Sequence, residues 1–246
     1  MVLRDQTTTL PVRVPWNGFP EVVVHSSIYK LKSLPDYSVA KCGNNRAAAR
    51  ITWALLRPEK IATAIDFVVP VIQVERGRYN AIPVALGAAL AKSIGAKLWL
   101  DVCQINNVNH TGSGARGRLQ NQPVFGGNVP RGKCLICDDV VTYGATLANL
   151  RGFLVAAGAD VVVATSIGAA YGSTKLAPEL SVMLDLERRY GQKLERYTTS
   201  IGFRSECLTA REGHFLRGMR TVDGLRNCFA QEVGATNRTR GVRCRI

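Results

Sequence analysis

Short, uninterrupted apolar runs alternating with Ala- and Leu-rich stretches constrain this chain more than any other feature. Asp66 to Ile72, Lys133 to Cys137 and Asp160 to Ser166 each read as a buried strand, and Lys97 to Cys103 as a strand. Tyr79 to Ile94, ended by Gly95, and Ala145 to Ala157, ended by Gly158, read as helices between them. A strand that is apolar at every position has both faces covered, and strand–helix–strand order makes neighbouring strands parallel. The expectation is an α/β fold with a parallel sheet flanked by helices.

The flanks are less regular. Residues 1–20, with Pro11, Pro15 and Pro20 around Trp16 and Phe19, suggest an irregular arm laid on the surface. Glu21 to His25 contains a three-valine strand, and Asn44 to Arg57 is a helix stopped by Pro58. Gln104 to Arg131 is long, polar and Gly-rich without a clear period, as expected of a lid, a binding loop or a plain surface loop. After Ala170 the pattern turns helical, at Pro178 to Tyr197, Thr209 to Arg220 and Val222 to Gln231, and the tail after Val233 is polar and Arg-rich.

Composition narrows the class. The 246 residues are 46% hydrophobic and 20% charged, as in a globular domain with a sizeable core. No apolar run reaches the roughly 18–20 residues of a membrane span. The stretch Tyr79 to Ile94 comes nearest and carries Lys92. Met1 to Leu10 is too polar for a signal peptide, so a cytoplasmic protein is expected. Seven cysteines, odd in number and irregular in spacing, argue against a disulfide framework. Cys134 and Cys137 form a lone CxxC that reads as strand core rather than as a zinc site. The net charge of +14 favours anionic partners. From Arg204 to Ile246 there are nine Arg, no Lys and four acidic residues, a net +5 that suits bidentate phosphate contacts or merely a solvated tail.

The chemistry concentrates in Cys134-Leu135-Ile136-Cys137-Asp138-Asp139-Val140-Val141-Thr142-Tyr143-Gly144-Ala145-Thr146-Leu147. A buried strand reaches two adjacent carboxylates, and a short Thr/Gly loop then opens a helix. Such a loop presents backbone N–H groups and the positive end of the helix dipole, which makes an anion site. Thr142 and Thr146 add hydroxyls, and Gly144 lets a phosphate approach the backbone. Paired acids beside a phosphate cradle make sense when they face hydroxyls or a metal, and a ribose 5-phosphate offers both kinds of group. A purely structural strand-to-helix turn is the alternative.

This arrangement resembles the phosphoribosyl pyrophosphate (PRPP) motif of type I phosphoribosyltransferases. The departure is Tyr143, where family members usually carry Thr, Ser, Ala or Arg. A second segment, Asp66 to Val71 followed by Glu75-Arg76-Gly77-Arg78-Tyr79-Asn80 and an Ala/Leu helix, resembles the competence-protein (ComF-like) branch. The resemblance covers roughly residues 60–170, and the four-cysteine zinc module common in that branch is missing. It implies a Rossmann-like type I phosphoribosyltransferase fold with N- and C-terminal additions forming a hood, divided as arm 1–45, core 46–172 and Arg-rich helical extension 173–246. It further implies that Asp138 and Asp139 are catalytic, holding the ribose hydroxyls directly or through Mg²⁺. The 5-phosphate would lie on Thr142, Tyr143, Gly144, Ala145 and Thr146, and the pyrophosphate on Arg76, Gly77 and Arg78. Arg116 and Arg118 would belong to a flexible loop over the site, and His110 in that loop is a weak candidate acid or base. A homodimer is the family default.

The function expected is transfer of phosphoribose from PRPP to a nitrogen acceptor that the sequence does not identify, with release of pyrophosphate. The alternative is a non-catalytic PRPP or nucleotide sensor acting through nucleic acid or a protein partner, which Tyr143 and the Arg-rich C-terminus favour. A plain nucleic-acid binder has only charge behind it.

Overall fold

The computed structural model describes residues 10–75, 78–106, 108 and 114–229. In chain order the elements are β1 (Val23–Val24), α1 (Ile28–Ser33), α2 (Tyr37–Lys41), α3 (Asn45–Leu55), β2 (Phe67–Pro70), β3 (Val74–Glu75), β4 (Arg78–Tyr79) and α4 (Ala81–Ile94). There follow β5 (Lys97–Leu98), β6 (Val102–Gln104), α5 (Ala115–Gln120), β7 (Phe125–Gly127), β8 (Lys133–Val141), α6 (Ala145–Ala156) and β9 (Asp160–Ala169). The chain continues through α7 (Leu180–Tyr190), α8 (Gln192–Ser200), α9 (Ala210–Arg217) and α10 (Val222–Phe229).

The main sheet has the order β1-β9-β8-β2-β5, with every pairing parallel and β8 at its centre. Helices cover both faces, as the continuous apolar strands require. Along β8 the side chains alternate between the two layers. Cys134 and Ile136 join Trp16, Val69, Leu147, Leu150 and Leu154 on one face. Leu135 and Cys137 join Leu31, Ile51, Val68, Ile82 and Leu86 on the other. Each fully buried Leu or Ile contributes roughly 1.5–3 kcal/mol through burial. A third cluster gathers residues of α7 to α10 around Leu119 from α5.

The structure corrects several expectations. The strand expected over Lys97 to Cys103 is two: β5 stays in the main sheet, whereas β6 leaves it to pair antiparallel with β7. The long segment 104–131 is not structureless where it is described, because it contains α5 and β7 and its Leu119 is fully buried. The single helix expected over Pro178 to Tyr197 breaks into α7 and α8 at Gly191, whose φ of 49° and ψ of −131° suit glycine. Among the cysteines, 42, 134, 137, 207 and 228 are free, and Cys134 and Cys137 are buried core residues as expected. Cys103, in β6, is disulfide-bonded. Among the described residues no helix is long and apolar enough to cross a membrane.

The arm is tied down by specific polar contacts. Arg13 directs all five of its N–H donors to buried acceptors. Nε–H reaches Asn149 Oδ1 at 2.5 Å, and the terminal nitrogens reach Glu212 Oε1 at 2.8 Å, Glu212 Oε2 at 2.7 Å, Gln122 Oε1 at 2.7 Å and the Cys207 carbonyl at 3.1 Å. Arg151 of α6 donates to the carbonyls of Val14 and Pro15, and Trp16 Nε1–H to the Leu208 carbonyl. Arm, α6 and the C-terminal helices therefore lock together.

Candidate functional site

The carboxyl end of β8 brings the motif together. Cys137 pairs with Pro70 of β2, and Val71 N–H donates to the Cys137 carbonyl at 2.8 Å. The turn after Pro70 therefore opens beside Asp138. The chain continues into β3 and β4, which pair antiparallel. Arg76 and Gly77 lie outside the described residues, as do His110 and the tail from residue 230. Arg78 is the first residue of β4.

Asp138 and Asp139 lie within β8, which runs on to Val141 rather than ending at Cys137 as expected. Alternation along the strand sends their side chains in different directions. Asp138 is half-buried, and its Oδ1 accepts the N–H of Asp139 at 2.8 Å. Burial, reinforced by the neighbouring Asp139 charge, holds the Asp138 carboxyl well above the usual carboxylate range. Asp139 is buried, and its Oδ2 accepts from Lys41 Nζ at 2.9 Å. Burial opposes the Lys41 charge, but Asp139 outweighs it and the ammonium pKa is raised. Tyr37, one turn earlier on α2, has its hydroxyl pKa raised by burial and then by Asp139. The sequence reading named neither Lys41 nor Tyr37. They lie 98 and 102 residues before Asp139, and no local pattern marks them.

The turn after β8 has the geometry of an anion cradle. Gly144 is the N-cap of α6 at φ +78°, a conformation natural to glycine, and no side chain caps the helix. The first amides of α6 have no acceptor within the helix and carry its positive end. The carbonyls of this turn face the other way and are held from outside. Ser173 Oγ donates to the Thr142 carbonyl, and Thr209 Oγ1 donates to the Tyr143 carbonyl at 2.7 Å. Thr209 is itself the N-cap of α9 in a capping box with Glu212.

Two cations border the turn. Arg118 of α5 donates to Thr142 Oγ1 at 3.0 Å, and its guanidinium carbon lies 5.5 Å from the Tyr143 ring centre. Arg211 of α9 lies 5.6 Å from the same centre. Both distances are within cation–π range, so the Tyr143 ring is engaged by guanidinium groups. Burial works against the Arg118 charge and lowers its pKa. Thr146 is partly exposed in the first turn of α6, and Ala145 is buried. Arg116, by contrast, is exposed, and its charge acts on Cys228. Arg211, Thr209 and Ser173 escaped the sequence reading, since each comes from the unmatched C-terminal part of the chain.

Among the described residues no group of three or more His, Cys, Asp or Glu gathers as a metal ligand set. No family model matches the chain. The chain is 30% identical over 227 residues to Protein TraN of Escherichia coli, covering 89% of this chain and 51% of that protein. It is 30% identical over 153 residues to an uncharacterized protein of Haemophilus influenzae, covering 58% of this chain and 34% of that protein. The chain thus spans about half the length of the first relative and about a third of the second. Among solved structures it is similar to adenine phosphoribosyltransferase from Saccharomyces cerevisiae, with a TM-score of 0.34, 14% identity and coverage of 58% of this chain and 74% of that one. It is also similar to orotate phosphoribosyltransferase from Aeropyrum pernix, with a TM-score of 0.30, 18% identity and coverage of 61% and 68%.

Proposed function

We propose that this chain is a phosphoribosyltransferase that takes phosphoribose from PRPP, transfers it to a nitrogen acceptor and releases pyrophosphate. The observation that carries the reading is the uncapped N-terminus of α6 directly after a strand bearing two carboxylates. The α6 amides and the Thr142 and Thr146 hydroxyls, with Tyr143, Gly144 and Ala145 shaping the turn, bind the 5-phosphate. Asp138 and Asp139, which leave β8 in different directions, are the carboxylates we assign to the ribose hydroxyls. Arg76, Gly77 and Arg78 receive the pyrophosphate, which guanidinium groups bind through paired oxygens. The ribose becomes cation-like as pyrophosphate departs, and the protein acts by positioning the partners and neutralising charge.

A magnesium ion, implied by the resemblance, would meet carboxylates that each already accept a hydrogen bond, one of them from a cation. Asp139 Oδ2 is taken by Lys41, and Asp138 Oδ1 by the Asp139 amide.

Calorimetric titration with PRPP followed by a pyrophosphate-release assay tests the proposal. Replacement of both Asp138 and Asp139 by Asn is expected to abolish release, and near-normal release would refute their roles. The second reading, a PRPP or nucleotide sensor, draws on the Tyr143 ring engaged by Arg118 and Arg211 in the phosphate turn. Binding without release of pyrophosphate selects it, and loss of salt-dependent nucleic-acid binding on removal of the Arg-rich tail would identify its output.

A further inference from the structure

We infer that Lys41 is the resident cation of this site, so that ribose-phosphate ligands bind to it without a divalent metal ion. The inference rests on the phosphoribosyl reading above and concerns how that site balances its charge.

A buried, charged carboxylate such as Asp139 repels an incoming phosphate unless something neutralises it. Here the neutralising group belongs to the protein. The Lys41 ammonium lies 2.9 Å from Asp139 Oδ2 and comes from α2, outside the segment that carries the motif. An ammonium has three N–H donors. Among the described residues, Asp139 is the one acceptor that Lys41 meets, so two donors face elsewhere. The Lys41 side chain is 37% exposed while that of Asp139 is 7% exposed, so the cation forms the open rim and the carboxylate the buried base. A divalent ion at Asp139 Oδ2 would have to displace a charged, hydrogen-bonded amine, and one at Oδ1 would sit against that same charge. A phosphate or hydroxyl oxygen needs no such exchange, because it can accept from the donors already there. Tyr37, on the same face of α2, adds a hydroxyl within reach of the Asp139 field.

The test uses the full chain and two probes, ribose 5-phosphate and PRPP, titrated calorimetrically with magnesium and with a chelator. The wild type is expected to bind with affinities that agree within about threefold in the two conditions. Lys41→Met is expected to lose about tenfold or more in chelator and to recover when magnesium is added. Lys41→Arg, which keeps a cation, should stay closer to wild type than Lys41→Met in chelator. An independent readout is electron paramagnetic resonance of added Mn²⁺, which Lys41→Met should bind and the wild type should not. The double variant Lys41→Met with Asp139→Asn removes both charges. Loss of Mn²⁺ binding in it, with an intact thermal transition, shows that the gain in the single variant comes from the freed carboxylate. Wild-type binding that requires magnesium, or Lys41→Met binding that equals wild type in chelator, overturns the inference and leaves the phosphoribosyl reading standing. Absence of binding by the wild type in both conditions overturns that reading, and the inference with it.

Discussion

Among the described residues, Arg13–Glu212 ties the arm to the C-terminal helices and Lys41–Asp139 ties α2 to the central strand, and the two ion pairs are built differently. In the Arg13–Glu212 pair both side chains are nearly inaccessible, at 1% and 2% exposure, and every Arg13 donor is used. Glu212 also accepts the Thr209 N–H, closing the capping box. In the Lys41–Asp139 pair the cation reaches solvent and keeps donors to spare. A pair with all its hydrogen-bonding capacity consumed holds structure together and has nothing left for a ligand. A pair with capacity left over, near the carboxyl end of the central strand, is suited to a ligand.

The largest effect should come from breaking the saturated pair. Arg13→Ala leaves Glu212 buried without its partner, and removal of one member of a buried pair costs ~3–5 kcal/mol. Thermal unfolding should show the loss, and Arg13→Met with Glu212→Leu should recover much of it. A transition temperature of Arg13→Ala equal to wild type would erase the contrast between the two pairs.

A pH series sharpens the comparison next. His25 is buried, with Nδ1 against the Arg57 backbone and Nε2 3.0 Å from Thr165 Oγ1. Burial lowers its pKa from 6.5 to about 4. Between those values the unfolded chain binds a proton that the folded chain does not, so stability falls as the pH drops through this window. The loss is roughly 3 kcal/mol from this residue. The Glu212 carboxyl adds a second loss at lower pH. Burial raises its pKa, but Arg13 outweighs burial and holds it below 4.5, so its contribution is present above that pH and lost below it. His25→Gln should flatten the upper part of the profile, and Arg13→Met with Glu212→Leu the lower part. An unchanged upper profile in His25→Gln would remove the histidine from this account.

The smallest effect on stability should come from Lys41→Met. Its cation is partly solvated, which weakens the pair, and a cost of ~1 kcal/mol is expected. A drop in transition temperature as large as that of Arg13→Ala would make Lys41 a structural residue and end the distinction.

Much of the core was legible because its signals are local. Continuous apolar strands, Gly95 and Gly158 as helix stops and the Asp-Asp to Thr-Gly offset all lie within a few residues of what they specify. The parallel sheet, α4, α6 and the turn at Gly144 follow from them. The second half of 104–131 was not legible, because α5 is held by burial of one leucine against helices from the far end of the chain. The break at Gly191 was hidden inside an otherwise helical stripe.

The sequence by itself determined the strand–turn–helix unit, since strand, turn and helix propensities act over a few residues. Only the tertiary structure decided which charges complete it. Lys41 meets Asp139 across 98 residues, and Arg13 meets Glu212 across 199. With 32 Lys and Arg in the chain, any of many cations can satisfy a carboxylate, and the choice is made by which helix the packed sheet brings to its end.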